Sequence, residues 1–168
     1  MSASAFTIRE ATADDVPALA YLHVTTFIET HGGHGPTYAL RESQWREAFA
    51  QPETDWFCYV IMAEDGSWAL QKERRRRTIE GYGGELNKIY LLRKFHRRGL
   101  GRRLLGHVSR RFLAEGITSM LLFGDAHNPL NGFYEALGAT RLLSPEGKFH
   151  GGYGWSDLQA LAKECPAE

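Results

Sequence analysis

The chain has 168 residues, the length of one domain, and a domain of this size buries roughly 70% of the surface that its unfolded chain exposes. The 20 Lys and Arg residues balance 20 Asp and Glu residues, so the formal net charge is zero at pH 7. A neutral chain has no overall field that attracts nucleic acid or a membrane surface, which argues against both as partners.

The cysteine content and the N-terminal sequence predict a cytoplasmic protein. Cys58 and Cys165 are too few for a disulfide framework and lack metal-site spacing, so we expect a reducing compartment. The segment MSASAFTIRE lacks the basic and apolar regions of a signal peptide. The longest apolar run, WFCYVIMA, is far shorter than the ~20 residues of a membrane helix, so we expect no membrane span.

Strands and helices alternate in the first half of the chain. Asp14 or Asp15 can cap the first helix, and Pro17 lies in its first turn, where proline is tolerated. Apolar runs bounded by turn residues indicate the strands. The predicted elements are a strand over residues 6–11, a helix ending near residue 30, a glycine-rich loop over 31–36, a helix over 40–49, strands over 56–64 and 67–71, and a solvated connection over 72–84 that contains KERRRR.

The second half continues this alternation. In the strand predicted over residues 85–92, alternate side chains from Glu85 to Leu91 share one face. The leucine-rich helix that follows has one apolar stripe at helical spacing and stops at Gly116. No repeat or linker divides the sequence, so we expect one α/β domain over residues 1–168. The remaining predicted elements are a strand over 117–123, a short helix over 128–138 with Asn128 as N-cap and Pro129 at its first position, strands over 139–143 and 149–155, and a polar C-terminal tail over 156–168 with a weak helical tendency.

Gly99 and Gly101 stand at the start of the leucine-rich helix, in FHRRGLGRRLLGHV. A helix start presents unpaired N–H groups and a partial positive charge, and both favour a phosphate group. Glycine lets the ligand approach the main chain, and arginines add charge-assisted hydrogen bonds. The segment therefore predicts a pyrophosphate site. It matches neither the nucleotide-hydrolase pattern GxxxxGK[ST] nor the dinucleotide pattern GxGxxG, because Leu104 stands at the position of the last glycine.

Two motifs resemble the GNAT family of N-acetyltransferases. The segment IYLLRKFHRRGLGRRLL resembles the family's strand, [QR]-x-x-G-x-[GA] turn and helix. About thirty residues downstream, NPLNGFYEALGA resembles the family's motif N-x-x-A-x-x-F-Y-x-x-x-G-F. The chain departs from these patterns at His96 and Asn131. The resemblance covers most of the chain and implies a GNAT-like α/β (α+β) fold, in which helices flank a mixed, mostly antiparallel central sheet.

The resemblance also implies that acetyl-CoA is the acyl donor. The main chain at the end of the strand would bind the pantetheine arm, the glycine turn would bind the pyrophosphate, and the later helix would flank the pantetheine. The residues that the resemblance assigns to the cofactor are Leu91, Arg93, His96, Arg97, Arg98, Gly99, Leu100, Gly101, Arg102, Asn128 and Asn131.

Direct transfer to an amine needs a base for the amine and an acid for the leaving thiolate. An alkyl ammonium with a pKa of about 10.4 is neutral only about one part in a thousand near pH 7.4. Glu85 is the candidate base, acting through water, because its strand runs toward the thioester and the family often places a carboxylate there. Tyr134 is the candidate acid, and the N–H near Leu91 would polarise the thioester carbonyl. Cys58 is expected to be buried and inert, so no acyl-enzyme is predicted.

In the family, the acceptor lies between the first two helices, the loop that joins them and the closing hairpin. Glu29 could there pair with a substrate ammonium, and Tyr38 and Trp155 could wall the pocket, although each has a structural alternative. His31 and His34 lack a third ligand, so we predict no metal site. The expected acceptor is a primary amine of a small molecule, such as an amino acid, a polyamine or an antibiotic, or a peptide N-terminus.

Three alternatives stay open. The chain could be a non-catalytic acyl-CoA-binding sensor, which the changes at His96 and Asn131 favour and the retained Tyr134 disfavours. The arginines at residues 74–77 could bind an anionic partner such as RNA, although no aromatic residues are interleaved with them. Homodimers are common in the family, but no feature of the sequence requires one.

Overall fold

The computed structural model describes residues 6–51, 56–64, 68–74 and 81–166. None of the described helices is long and apolar enough to cross a membrane. The strands are β1 (Phe6–Glu10), β2 (Trp56–Ala63), β3 (Trp68–Arg74), β4 (Gly84–Tyr90), β5 (Met120–Phe123), β6 (Thr140–Leu143) and β7 (Phe149–Trp155). The α-helices are α1 (Val16–His31), α2 (Tyr38–Ala50), α3 (Leu100–Ala114), α4 (Asn131–Ala136) and α5 (Leu158–Glu164), with short 3₁₀ turns at Ala13–Asp15 and Arg93–Phe95.

The strands are hydrogen-bonded in the order β1-β2-β3-β4-β5-β7-β6. The pairs β1–β2, β5–β7 and β6–β7 are antiparallel, and β4 runs parallel to β5. The predicted mixed, mostly antiparallel sheet with flanking helices is therefore confirmed. The connection predicted over 72–84 is wrong at its start, because β3 continues to Arg74. Residues 75–80, which include most of the arginine run, lie outside the described residues.

The chain divides into two compact units. One comprises Met1–Lys72 and Lys88–Gly101, and the other comprises Glu73–Asn87 and Arg102–Glu168. The first unit contains β1, β2, α1 and α2, and the second contains β5 to β7, α4, α5 and nearly all of α3.

Asp15 fixes the start of α1 in the first unit. The Thr12 N–H donates to Asp15 Oδ2 at 2.8 Å, and the Arg9 guanidinium donates to both carboxylate oxygens at 2.7 and 2.8 Å. The hydrogen bonds from Arg9 lower the pKa of Asp15 below its ordinary value. Asp15 is the N-cap residue of α1, as one of the two predicted options, but its side chain binds the preceding segment and not the helix N–H groups.

In the second unit, α3 and α4 lie on the same face of the sheet. Gly84, Met120 and Trp155 are register partners across β4, β5 and β7, so their side-chain positions share a face. Phe112 of α3 lies against Gly84, where a Cβ would be 2.9 Å from the ring. Trp155 lies against α4, since its ring is 6.1 Å from that of Tyr134.

The polar C-terminal tail predicted over residues 156–168, with its weak helical tendency, contains the helix α5. Asp157 caps α5 by accepting hydrogen bonds from the N–H groups of Gln159 and Ala160 at 2.9 and 3.1 Å. Leu158 and Cys165 are fully buried. The Arg110 guanidinium of α3 also donates to the carbonyls of Ala162 and Cys165, at 2.8 and 2.7 Å. The C-terminal segment is therefore packed on α3.

Candidate active site

The predicted pyrophosphate site is a turn over residues 96–99 that leads into α3. Arg97 and Gly99 both have left-handed backbone conformations, with φ of 60° and 76°. Gly99 is exposed, and no heavy atom of the described residues lies within 4 Å of the position that a Cβ would occupy. Left-handed residues in such turns direct successive N–H groups toward one side and form anion-binding concavities. The turn therefore fits a phosphate group.

The buried side chain of Phe95 anchors this turn to the interior of its unit. Its side chain is 5% exposed, while the Lys94 Nζ and the Arg98 Cζ lie 4.9 and 5.8 Å from the ring centroid. Cations over an aromatic face are attracted by its quadrupole. The basic side chains therefore remain at the surface above a buried ring, as a site for an anion requires.

Two predicted phosphate ligands use their side chains elsewhere. The His96 ring donates from Nε2 to the Leu91 carbonyl oxygen at 2.9 Å, so it points back to the end of β4. The Arg102 guanidinium donates to the Glu164 carbonyl oxygen at 2.9 Å, at the end of α5. Side-chain roles at a phosphate do not fit these positions, and only the main-chain groups of His96 and Arg102 remain candidates.

Glu29 and Arg93 contact each other. The Arg93 N–H donates to Glu29 Oε2 at 2.8 Å, and the Arg93 guanidinium donates to the Glu29 carbonyl oxygen. One of the main-chain groups of Arg93 that could bind pantetheine, its N–H, is thus occupied. The carboxylate that was predicted to bind an ammonium group also has a protein donor already.

The later motif forms a shorter helix than predicted. Asn128 Oδ1 accepts a hydrogen bond from the Leu130 N–H at 2.9 Å and closes a turn, so α4 begins at Asn131 with Leu130 as its N-cap. Asn131 Nδ2 donates to the carbonyls of Asp125 and Ala126, at 3.0 and 3.2 Å. Both asparagines therefore shape the loop between β5 and α4, where the amide of Asn131 holds the loop main chain.

Tyr134 lies half-buried among the aromatic side chains of β7. Its ring centroid is 5.5 Å from that of Tyr153 and 6.1 Å from that of Trp155. The Tyr153 hydroxyl donates to Glu135 Oε1 at 2.8 Å, which ties α4 to β7. Trp155 is only 3% exposed and its indole N–H donates to the Leu137 carbonyl at 3.0 Å, so it packs against α4, and its role as a pocket wall stays a prediction.

Glu85 lies on the opposite face of the sheet from α4. Its register partners are Leu121 and, through Leu121, Gly154, over which the Tyr82 ring is stacked. Glu85 is 8% exposed, and its Oε2 has no hydrogen-bond partner within the described parts of the chain. A buried carboxylate oxygen without a partner is costly for folding, and this Oε2 is left available to a ligand atom.

The pairing of β4 with β5 is short. Among the described residues, it joins Gly84 to Met120 and Glu85 to Leu121 and extends no further along β5. β5 continues to Phe123 in contact with β7. Among the described residues, the edge of β5 beyond Leu121 is therefore not paired with β4, which leaves main-chain groups for an extended ligand.

The remaining predicted residues lie outside these clusters. Tyr38 is the first residue of α2 and is 41% exposed, which leaves its predicted acceptor role untested. Cys58 is buried in β2. The described residues include no group of three or more His, Cys, Asp or Glu side chains that could hold a metal ion.

Sequence reasoning missed a buried pair in the first unit. The Tyr90 hydroxyl and His23 Nε2 are 2.7 Å apart, and their rings are 4.6 Å apart. Burial raises the pKa of Tyr90 above its ordinary value. The available signal was the position of His23 on the buried face of α1, between Leu22 and Thr26.

The chain is similar to known acetyltransferases along most of its length. Residues 71–145 match the model of the FR47-like protein family. The chain is 30% identical over 165 residues to a Bacillus subtilis (strain 168) protein named uncharacterized N-acetyltransferase YuaI, with 92% of this chain and 95% of that protein covered.

Two solved structures have the same fold. The PaiA N-acetyltransferase of Thermoplasma acidophilum, in complex with coenzyme A, has a TM-score of 0.68 at 18% identity and covers 89% of this chain and 98% of its own. An acetyltransferase of Thermus thermophilus has a TM-score of 0.70 at 19% identity and covers 92% of this chain and 99% of its own. With the sequence match to an N-acetyltransferase over nearly the whole chain, these likenesses establish that the chain belongs to the GNAT family of N-acetyltransferases.

Proposed function

We propose that this N-acetyltransferase moves an acetyl group from acetyl-CoA directly to a primary amine of a small molecule or a peptide N-terminus. The observation that carries the proposal is the placement of Glu85 and Tyr134 on opposite faces of the sheet in the second unit, beside the point where the pairing of β4 with β5 ends. A base and an acid on opposite faces can serve the two ends of one acyl transfer without competing for the same proton.

Acetyl-CoA supplies the acetyl thioester, and the N–H groups of residues 96–102 would hold its diphosphate. The left-handed residues Arg97 and Gly99 support this role, because such residues form main-chain concavities that bind anions. The Leu91 N–H would polarise the thioester carbonyl. The carbonyl oxygen of Leu91 itself already accepts a hydrogen bond from the His96 ring. Asn128 and Asn131 would act by shaping the loop beside the pantetheine arm.

Glu85 would accept the proton of the acceptor ammonium, directly or through one water molecule. Its buried Oε2 is suited to this because it has no competing donor among the described residues. The proton moves from the amine to the carboxylate, the amine nitrogen forms the new bond to the acetyl carbon, and the carbon–sulfur bond breaks. Tyr134 would then donate its hydroxyl proton to the departing thiolate, and the nitrogen of the new amide would return its second proton to the tyrosine oxygen through water.

Removal of the Tyr134 hydroxyl group and replacement of the Glu85 carboxylate test these roles. Tyr134→Phe and Glu85→Gln should each lower kcat by about 10²–10⁴-fold, the usual contribution of a positioned acid or base, while calorimetry with coenzyme A remains nearly unchanged. Tyr21→Phe removes a hydroxyl that is 59% exposed on α1 and serves as the control. Full activity of Tyr134→Phe would remove Tyr134 from its role.

An amine panel with acetyl-CoA identifies the acceptor class. Amino acids, polyamines, amine-bearing antibiotics and peptide N-termini are compared by the release of free thiol. Release above the no-amine background with at least one class is the expected result. Binding of coenzyme A without thiol release by any class would favour a cofactor sensor over an enzyme.

A further inference from the structure

Two hydrogen bonds between Glu29 and Arg93 connect α1 to the 3₁₀ turn that precedes the turn over residues 96–99, here called the phosphate turn. Arg93 supplies both donors and Glu29 supplies both acceptors, across 64 residues of sequence. We propose that Glu29 is a positioning residue for the donor site, whose carboxylate fixes Arg93 and thereby the turn over residues 96–99. This inference rests on the proposed use of acetyl-CoA.

Each of the two hydrogen bonds places a charged side chain at a helix end of opposite partial charge. Glu29 lies in the last turn of α1, where carbonyl groups lack intrahelical partners and the helix dipole favours a cation. The Arg93 guanidinium meets this need. Arg93 is the first residue of its 3₁₀ turn, where an N–H group lacks a partner and a carboxylate is favoured. The Glu29 side chain meets that need.

The connection restricts the segment that leads to the phosphate turn. Leu92 and Phe95 are buried on either side of Arg93, and the His96 ring is bonded to the Leu91 carbonyl. Glu29 adds a constraint from α1 at the residue between these anchors. Without it, the segment would have to be ordered when the diphosphate binds, which weakens binding.

The proposed role differs measurably from pairing with the acceptor. A carboxylate that positions the donor turn controls the Kd of coenzyme A and the KM of acetyl-CoA. A carboxylate that binds an ammonium group controls the KM of the amine. Glu29→Gln separates the two, because its amide oxygen can still accept the Arg93 N–H but carries no charge for an ammonium group.

Calorimetric titration of coenzyme A into the full chain is the primary measurement. Glu29→Ala should weaken binding by about tenfold, the effect of losing one charge-assisted hydrogen bond, and Glu29→Gln by no more than about threefold. Glu42→Ala is the matched control, because Glu42 also accepts from an arginine, Arg46 at 2.5 Å on α2. It should leave binding unchanged.

Arg93→Pro provides an independent test of the same bond. Proline removes the N–H and the guanidinium, and it is compatible with the first position of a helical turn that follows the extended Leu92, at φ −54° and ψ 140°. This variant should weaken coenzyme A binding as Glu29→Ala does. Adding Glu29→Ala to it should cause no further loss, since the interaction is already absent.

The outcomes separate this inference from the function on which it rests. If the unsubstituted protein generates no heat with coenzyme A, the proposed function fails and this role with it. If that protein binds but Glu29→Ala binds equally well, the positioning role alone is wrong. Equal losses in Glu29→Ala and Glu29→Gln, or a rise confined to the KM of the amine found in the panel, would also overturn it.

Discussion

Gly106 lies inside α3 at the contact with the C-terminal segment, and Gly106→Ala tests that packing. A Cβ at this position would lie 2.8 Å from the Cys165 carbonyl oxygen, 3.0 Å from that of Pro166 and 2.7 Å from Arg110 Nη1. The guanidinium can move because it ends a flexible side chain. The two carbonyl groups belong to the main chain, so alanine requires a shift of the C-terminal segment.

The expected effect of Gly106→Ala is the difference between two opposing contributions. Alanine is favoured over glycine inside a helix by about 1 kcal/mol. Overpacking costs about 1–3 kcal/mol, and displacement also strains the bonds of Arg110 to Ala162 and Cys165, each contributing about 1.5–3 kcal/mol when intact. We expect a net loss of about 1–3 kcal/mol in the free energy of unfolding, which lowers Tm by about 3–9 °C at this chain length.

Urea denaturation and scanning calorimetry measure this loss against a matched control. Gly132→Ala places alanine in the first turn of α4, where no heavy atom in the described part of the chain lies within 4 Å of the new Cβ. The control should be as stable as the unsubstituted protein or up to about 1 kcal/mol more stable. If Gly106→Ala is as stable as the unsubstituted protein or more stable, the described packing of residues 165 and 166 on α3 is wrong.

Arg9 lowers the pKa of Asp15, so this carboxylate stabilises the fold above its unfolded pKa of about 3.9 and the stabilisation disappears as the pH falls through the lower folded value. The Tm of Asp15→Asn, measured by thermal unfolding, should therefore fall less than that of the unsubstituted protein as the pH is lowered from about 5 to about 2. Gly154→Ala should lower Tm, because its Cβ would collide with the Tyr82 ring, and the loss should shrink in a Tyr82→Ala background. Asn131→Ala should increase hydrogen exchange in the loop before α4, since it removes two bonds to loop carbonyls, whereas unchanged exchange would contradict this role.

Local patterns predicted the elements that bury a regular face. The leucine stripe of α3 is an example: Leu104, Leu105 and Val108 are fully buried, and the glycines on either side of Leu100 mark the start of the helix. The helix α5 was predicted only as a weak helical tendency of the polar tail, because a helix of seven residues is marginal by itself. Its stability depends on caps and on Arg110, which lies 52 residues from Ala162 in sequence.

The chemistry of the candidate site was predictable by residue type, but the side-chain partners were not. The strand alternation placed Glu85 on one face, and the structure adds that its buried Oε2 lacks a partner in the described residues. Arg102 looked like a phosphate ligand because it belongs to an arginine-rich helix start. Its partner, Glu164, is 62 residues away, and nothing in local spacing could indicate that contact.

Arg97 has a left-handed backbone conformation that its residue type disfavours. A left-handed conformation costs a non-glycine residue about 1–2 kcal/mol, and the chain has glycine at the second left-handed position, Gly99, but arginine at the first. Such strain persists only where neighbours over-determine the backbone, and here the buried Phe95 ring and the bond from His96 to the Leu91 carbonyl do so. These contacts within the chain itself hold the turn in this shape. Under the proposed function, the diphosphate meets donors that are already oriented, which explains why two departures from the family pattern need not abolish binding.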